Sequence, residues 1–300
     1  MIILIILALL MIPFFGLWGF LELKKLIKKE YIIESADIPD SLNGKKIALI
    51  SDQHGIVHGV DNKKVFDILD KASPDYIVIA GDMVNGRSRR ELKYVAHFLE
   101  ALKKYNLPVL YTFGNHEEKM HKHHPRFYKK LKRIARSKSI LLNNRAYCPE
   151  NCPDVLFTGL NLPLDMYHAH DESGLIGKRT KRIFNRFEDK NETGTGISGK
   201  YRILIAHDPE HLDKYAASGY NLCLSGHLHG GIVRLPLLGG LVTPRLQFFH
   251  KISKGYFETG NMKTVISGGV GWHDIPFRLF NRPEIPIITL KKAKGSSFSK

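Results

Sequence analysis

The chain has 300 residues, 43% of them hydrophobic and 25% charged. This is ordinary globular content, and the length can bury one sizeable core. A net charge of +16 points to an anionic partner, whether membrane surface, nucleic acid or phosphorylated ligand. Three cysteines, at 148, 152 and 223, are an odd total that argues against a disulfide framework, and no four-thiol zinc pattern exists.

Residues 2–20 carry no charged side chain, and a helix needs about 20 apolar residues to span a bilayer. No basic cluster precedes the stretch and no small-residue cleavage site follows it, so an uncleaved single-pass anchor over 1–21 is expected, with Pro13 as a kink. Lys24, Lys25, Lys28 and Lys29 come next. Positive flanks stay inside, which puts the remaining chain on the cytoplasmic face of the membrane. The organisation expected is anchor 1–21, basic juxtamembrane linker 22–35, folded domain 36–292 and polar tail 293–300. From Tyr31 the pattern is α/β. Helices are expected over 65–72, over 91–105 with Leu92, Val95, Phe98 and Leu102 on one face, and over 126–138. In the last, Phe127, Leu131 and Ile134 oppose seven Lys or Arg residues. The stretch 178–190 repeats that theme. Residues 194–200 have the spacing of a phosphate-binding loop up to Lys200, but Tyr201 replaces the required Ser or Thr and a strand follows. That segment reads as a connector.

Five short apolar runs each end in a metal-type ligand. Residues 47–51 lead into Asp52-Gln53-His54, 76–80 into Gly81-Asp82, and 109–113 into Gly114-Asn115-His116-Glu117. Residues 203–206 lead into His207, and 222–225 into Gly226-His227-Leu228-His229. Aliphatic runs bounded by Gly are buried strands, and open α/β sheets place their sites beyond the carboxyl ends of strands. Any one of these residues is ordinarily a turn former, helix cap or core histidine. Five arriving at equivalent ends reverse that reading. Two divalent ions about 3.5–4 Å apart clamp a phosphoryl group and activate water. A set of carboxylate, imidazole and amide donors suits Mn, Fe, Zn or Ni better than Ca.

These motifs, in this order, resemble the calcineurin-like metallophosphoesterases. Residues 204–209, 224–231, 234–239 and 282–285 are similar to the membrane-associated bacterial branch of that superfamily. The resemblance covers roughly residues 35–290. It implies a four-layer αββα sandwich, two divalent transition-metal ions and attack by a hydroxide bridging them. Asp52, His54 and His229 would hold one ion, Asn115, His207 and His227 the other, and Asp82 would bridge. His116 would act at the leaving group. Gln53 departs from the branch in replacing an apolar residue, and Glu117 in standing where Asp is commoner. His121, His123 and His124 read as solvated.

The implied substrate is a phosphoester or pyrophosphate, lipid-linked if the anchor and basic faces meet an anionic bilayer. After His229 comes an apolar segment with Ile232, Val233, Leu235, Leu237, Leu238, Leu241 and Val242, interrupted by Arg234 and Arg245. It reads equally as a packed hairpin and as a lip for acyl chains whose Arg residues hold phosphate. Two other classes compete. A non-catalytic metal- or membrane-binding scaffold is disfavoured by the intact ligand set. A nucleic-acid phosphodiesterase is disfavoured by the anchor and by the lack of a dedicated nucleic-acid module.

Overall fold

In the computed structural model, the apolar runs are strands buried on both faces, which is why they lack a polar alternation. The structure describes residues 2–167, 178, 180–184, 199–235, 239–242, 248–250, 252–272 and 275–293, and the side chains of 2–10, 12, 241–242 and 248–250 lie outside that description. In chain order the helices are α1 (Ile2–Glu22), α2 (Lys63–Ala72), α3 (Arg89–Leu102), α4 (Asn115–His123), α5 (Pro125–Lys138) and α6 (Leu212–Ala217). The strands are β1 (Ile27–Ser35), β2 (Lys46–Ile50), β3 (Tyr76–Ala80), β4 (Val109–Thr112), β5 (Ile140–Leu141), β6 (Arg145–Tyr147), β7 (Val155–Leu160), β8 (Tyr201–Ala206) and β9 (Leu222–Ser225). They continue as β10 (Val233–Leu235), β11 (Gly239–Val242), β12 (Phe248–His250), β13 (Gly255–Thr259), β14 (Met262–Ile266) and β15 (Glu284–Lys292).

Two six-stranded mixed sheets, β1-β15-β2-β3-β4-β5 and β13-β14-β9-β8-β7-β6, stack face to face. The strand period of two sends alternate residues to opposite faces. Ile47 and Leu49 of β2 enter the core between the sheets, with Phe157, Ile203, Ile205, Leu222 and Leu224 from the other side. Ala48 and Ile50 face the opposite way, against Val65 and Leu69 of α2 and Leu92, Val95 and Phe98 of α3. Leu204, Ala206 and Cys223 face outward from the second sheet against Leu212 and Tyr215 of α6. Three cores between four layers make the expected αββα sandwich. The helix expected over 91–105 is α3 followed by a 3-10 turn, Lys103–Tyr105. It starts where the Ser88 hydroxyl accepts from the Arg90 amide.

The stretch expected to be a linker, 22–35, contains a strand. β1 pairs in parallel with β15, Ile27 opposite Glu284 through Ser35 opposite Lys292. Ile33 alone is fully buried, and the charged side chains along it suit an edge strand. Among the described residues no helix is long and apolar enough to cross a membrane. The helix α1 does cover the expected anchor, but most side chains in its first half lie outside the description. Its second half leaves Phe14, Leu17 and Trp18 exposed, while its end packs on the folded domain. All three cysteines are free. Most of 178–190, residues 194–198, and 294–300 lie outside the described residues.

Candidate metal centre

The neighbouring parallel strands β2, β3 and β4 run side by side, so their carboxyl ends share one rim. That rim carries Asp52, Asp82 and Asn115. In the facing sheet β8 and β9 are parallel neighbours and carry His207 and His227. The two rims meet, and the ligands of one sheet are tied by backbone groups of the other. The His227 amide donates to both Asp52 carboxylate oxygens at 3.0 Å. The His116 amide donates to Asp82 Oδ1 at 2.8 Å. Asp52 N donates to Gly81 O, and His54 N to Asp82 O. Gly81, at φ +86°, lies where a Cβ would meet His207 Nδ1 at 2.7 Å. At Gly226 a Cβ would strike Asp52 Oδ2. No larger residue fits at either position.

The backbone of the ligands is itself held in an uncommon conformation. Asp52, His54, Asp82, His227 and His229 all have left-handed φ, between 49° and 76°. Such non-glycine residues cost on the order of 1–3 kcal/mol each and persist where surrounding structure imposes them.

Three overlapping groups each bring their ligand atoms within 4.8 Å of one another: Asp52, His54 and His229; His54, Asp82 and His116; and Asp82, His207 and His227. Asp82 is shared by two of these groups. Its Oδ2 lies 3.1 Å from His207 Nε2 and 3.9 Å from both His54 Nε2 and His116 Nε2. His54 and His229 face each other through their Nε2 atoms at 3.1 Å, and His207 Nε2 lies 3.1 Å from Asn115 Oδ1 and 3.2 Å from His227 Nδ1.

The donor set fits divalent cations. His207 Nδ1 donates to Ala80 O at 2.6 Å, which frees Nε2 to face the other ligands, the arrangement typical of a metal-binding imidazole. The charges show what the centre is short of. Burial lowers the His207 imidazolium, but Asp82 and Asp52 outweigh it and raise His207 to about 10. Burial raises the Asp82 carboxyl, but His207, His116 and His54 outweigh it and hold Asp82 well below the usual carboxylate range. Burial pushes Asp52 up to about 6 even with His207 pulling the other way. Carboxylates buried among histidines in this way make a site that favours positive charge.

The structure brings Asp52, His54, Asp82, Asn115, His116, His207, His227 and His229 together. The Arg234 guanidinium donates to Ser253 Oγ at 3.2 Å and to the carbonyls of Gly230 and Lys254. Arg245 lies outside the described residues, as do Leu237, Leu238 and the side chains of Leu241 and Val242. The segment after His229 is the antiparallel hairpin β10–β11. His121, His123 and His124 are exposed, as expected.

Four contributors lie outside the expected ligand set. Glu117, the neighbour of His116 in its motif, is the clamp of the centre. Its Oε2 accepts from the amides of Asp82 and Gly114, and its Oε1 from the Met83 amide and the Tyr111 hydroxyl, all at 2.8–2.9 Å. Burial, with Asp82 adding, raises its carboxyl to about 7. Lys119 sits one helical turn beyond His116, and its Nζ donates to His116 Nε2 at 3.3 Å. Arg278 donates from Nη1 to His229 O at 3.1 Å and from Nη2 to His229 Nδ1 at 3.0 Å. Tyr167 sets its ring 5.4 Å from His227 and 6.2 Å from His207, with a buried hydroxyl that finds no partner among the described residues. Arg278 had a legible signal, a single cation inside the apolar run Pro276-Phe277-Arg278-Leu279-Phe280.

Comparison with known proteins gives a consistent result. A family model, calcineurin-like phosphoesterase, matches residues 45–231. An uncharacterized metallophosphoesterase of Aquifex aeolicus is 30% identical, over 94% of this chain and 97% of its own length. The uncharacterized metallophosphoesterase YkuE of Bacillus subtilis is 26% identical, over 92% of this chain and 90% of its own. A transmembrane protein with metallophosphoesterase domain from Danio rerio is 27% identical, over 93% of this chain and 60% of its own.

Proposed function

Since the chain belongs to the calcineurin-like phosphoesterase family and is a metal-dependent phosphoesterase, we propose that it hydrolyses a phosphoester or pyrophosphate bond at a membrane surface, using two divalent transition-metal ions. The observation that carries this reading is that buried Asp82 groups with His54 on one side and with His207 and His227 on the other, its Oδ2 lying 3.9 Å from His54 Nε2 and 3.1 Å from His207 Nε2. Asp52, His54 and His229 would hold one ion, and Asn115, His207 and His227 the other, with Asp82 between them. Bound divalent cations supply Lewis-acid charge to the phosphoryl oxygens and lower the pKa of water toward neutrality.

The rest is done by the chain. Glu117 holds the loops of Asp82 and Asn115 in register through their own amides. His116 Nδ1 donates to Asn85 O at 2.9 Å, so its ring is fixed and Nε2 is directed toward Asp82 and Lys119. That position suits a group that protonates or stabilises a leaving oxygen, with the Lys119 cation behind it.

Membrane association is supported by the uncharged stretch 2–20, by Phe14 and Leu17 at 52% and 61% exposure on α1, and by the relative named as a transmembrane protein. Lys24, Lys25 and the basic face of α5 suit anionic lipid, where each surface cation contributes about 1 kcal/mol. The same features support a lipid-linked phosphate on the cytoplasmic side, and the apolar stretch with its flanking lysines disfavours nucleic acid as substrate.

The test is a hydrolysis screen over monoester, diester, pyrophosphate and lipid-linked substrates, with metal added back after chelation. Activity restored by about two equivalents of transition metal, and lost with the metals in Asp82→Ala, is the expected result. Saturation at one equivalent refutes the paired site. Soluble substrates turned over efficiently while every lipid phosphoester in anionic vesicles is left intact refutes the lipid reading.

A further inference from the structure

The end of α1 and the metal ligand His229 are connected through one buried loop. Glu22, the last residue of α1, is 4% exposed. Its Oε2 accepts from the Asn281 amide at 3.1 Å, and its Oε1 lies 3.5 Å from Arg282 Nε. The Asn281 side chain, itself buried, turns inward: Nδ2 donates to His229 O at 2.7 Å and to Gly231 O at 2.5 Å. Three residues earlier Arg278, also buried, receives α1 on its backbone, its amide donating to Gly19 O at 3.4 Å. Its guanidinium grips His229 at both the carbonyl and Nδ1, and donates to Gly271 O at 2.6 Å. Aromatic contacts fix the same loop from outside, Phe280 lying 6.4 Å from Phe15 and 5.8 Å from Trp18 between ring centroids.

His229 needs such support. It has left-handed φ, it follows a glycine-flanked turn, and its own strand ends at Ser225. Apart from the contact at Nδ1, the Arg278 and Asn281 side chains donate to carbonyls beside the centre. The helix therefore closes on the loop, and the loop closes on the ligand. A guanidinium can only donate, so at Nδ1 it meets an unprotonated nitrogen, and the hold on the ligand is carried by the contacts to the His229 and Gly271 carbonyls. Partners behind a ligand are worth about 10–100-fold in metal affinity.

We infer that the docked end of α1, through Glu22, Asn281 and Arg278, positions His229 and so sets the affinity of the ion held by Asp52, His54 and His229. The inference rests on the ligand assignment above. It makes α1 part of the metal centre as well as a tether, with Arg278 and Asn281 as positioning residues.

The packing offers a clean test. At Gly19 an added side chain would collide with the Phe277 ring, whose Cδ2 and Cζ lie 2.7 Å from the Cβ position. At Gly16, one turn earlier, nothing lies within 4 Å. Full-length wild type, Gly16→Leu, Gly19→Leu, Arg278→Gln and His229→Ala are stripped of metal and titrated with Zn by calorimetry, with thermal unfolding of the metal-free proteins followed in parallel. Gly19→Leu and Arg278→Gln should each weaken one of the two binding steps by about 10–100-fold and leave the other unchanged. Gly16→Leu should bind as wild type. Gly19→Leu binding Zn as Gly16→Leu does, while His229→Ala loses a step, overturns the inference and leaves the ligand assignment standing. No loss in His229→Ala refutes the assignment and the inference together.

Discussion

Glu117→Gln replaces one oxygen of the clamp with an amide nitrogen and changes almost nothing in volume. The wild-type carboxylate serves four donors, two at each oxygen: the amides of Asp82 and Gly114, and the Met83 amide with the Tyr111 hydroxyl. A glutamine satisfies one of these pairs and turns N–H groups toward the other. Two buried donors then lose their acceptor. Each unsatisfied buried donor costs about 1–3 kcal/mol, so the substitution should cost about 2–6 kcal/mol. That is a large share of the roughly 5–15 kcal/mol that holds a domain folded. Tyr111→Phe is the control, since it removes a single hydroxyl donor and should cost about 0.5–1.5 kcal/mol. Guanidinium denaturation of metal-free protein, followed by circular dichroism, reads the difference. The displaced loops carry Asp82, Asn115 and His116, so metal retention should fall with stability. Glu117→Gln unfolding within about 0.5 kcal/mol of wild type, near the scatter of ordinary surface changes, would falsify the clamp.

Three further outcomes are expected. His116→Ala should keep its metals by elemental analysis and lose about 10²–10⁴-fold in rate, least for substrates with good leaving groups; equal losses across leaving groups of different pKa contradict a proton donor. The buried His58 ring donates to Val270 O, and burial lowers its pKa below 6.5. A base whose folded pKa is depressed leaves the unfolded chain to take up the proton first, so its stabilising contribution is present above about pH 6.5 and declines as pH falls below it. Urea titrations at pH 7.5 and 5.5 should show that decline, and an unchanged slope in His58→Gln contradicts the assignment. Ile33→Ala should cost about 2–4 kcal/mol, as a buried aliphatic does, while Ile32→Ala, at a side chain 58% exposed, should cost under about 0.5 kcal/mol; equal small effects would show that β1 contributes nothing to the core.

Local pattern carried the sequence a long way. Each ligand strand is a run of aliphatic residues broken by Gly or a polar ligand, and a strand buried on both faces needs no partner information to be recognised. Because parallel strands end on one rim, the residues just past each run already gather Asp52, Asp82, Asn115, His207 and His227. Everything set by pairing across the chain needed the tertiary structure. β1 read as a linker because Lys28, Lys29 and Glu30 mask its single buried residue, Ile33, and only its register with β15, some 250 residues later, makes it a strand. The contacts of Arg234 with Ser253 and Lys254 likewise depend on how the hairpin folds back. Arg278, Asn281 and Glu22 form no motif, and the clamping role of Glu117 within its motif is no more legible, since most of their hydrogen bonds go to backbone groups, which every residue has alike. A carbonyl at His229 or an amide at Asp82 leaves no trace in the residue type opposite it. The ligands were therefore legible from composition and spacing, whereas the groups that hold them in place became visible only when the backbone was folded.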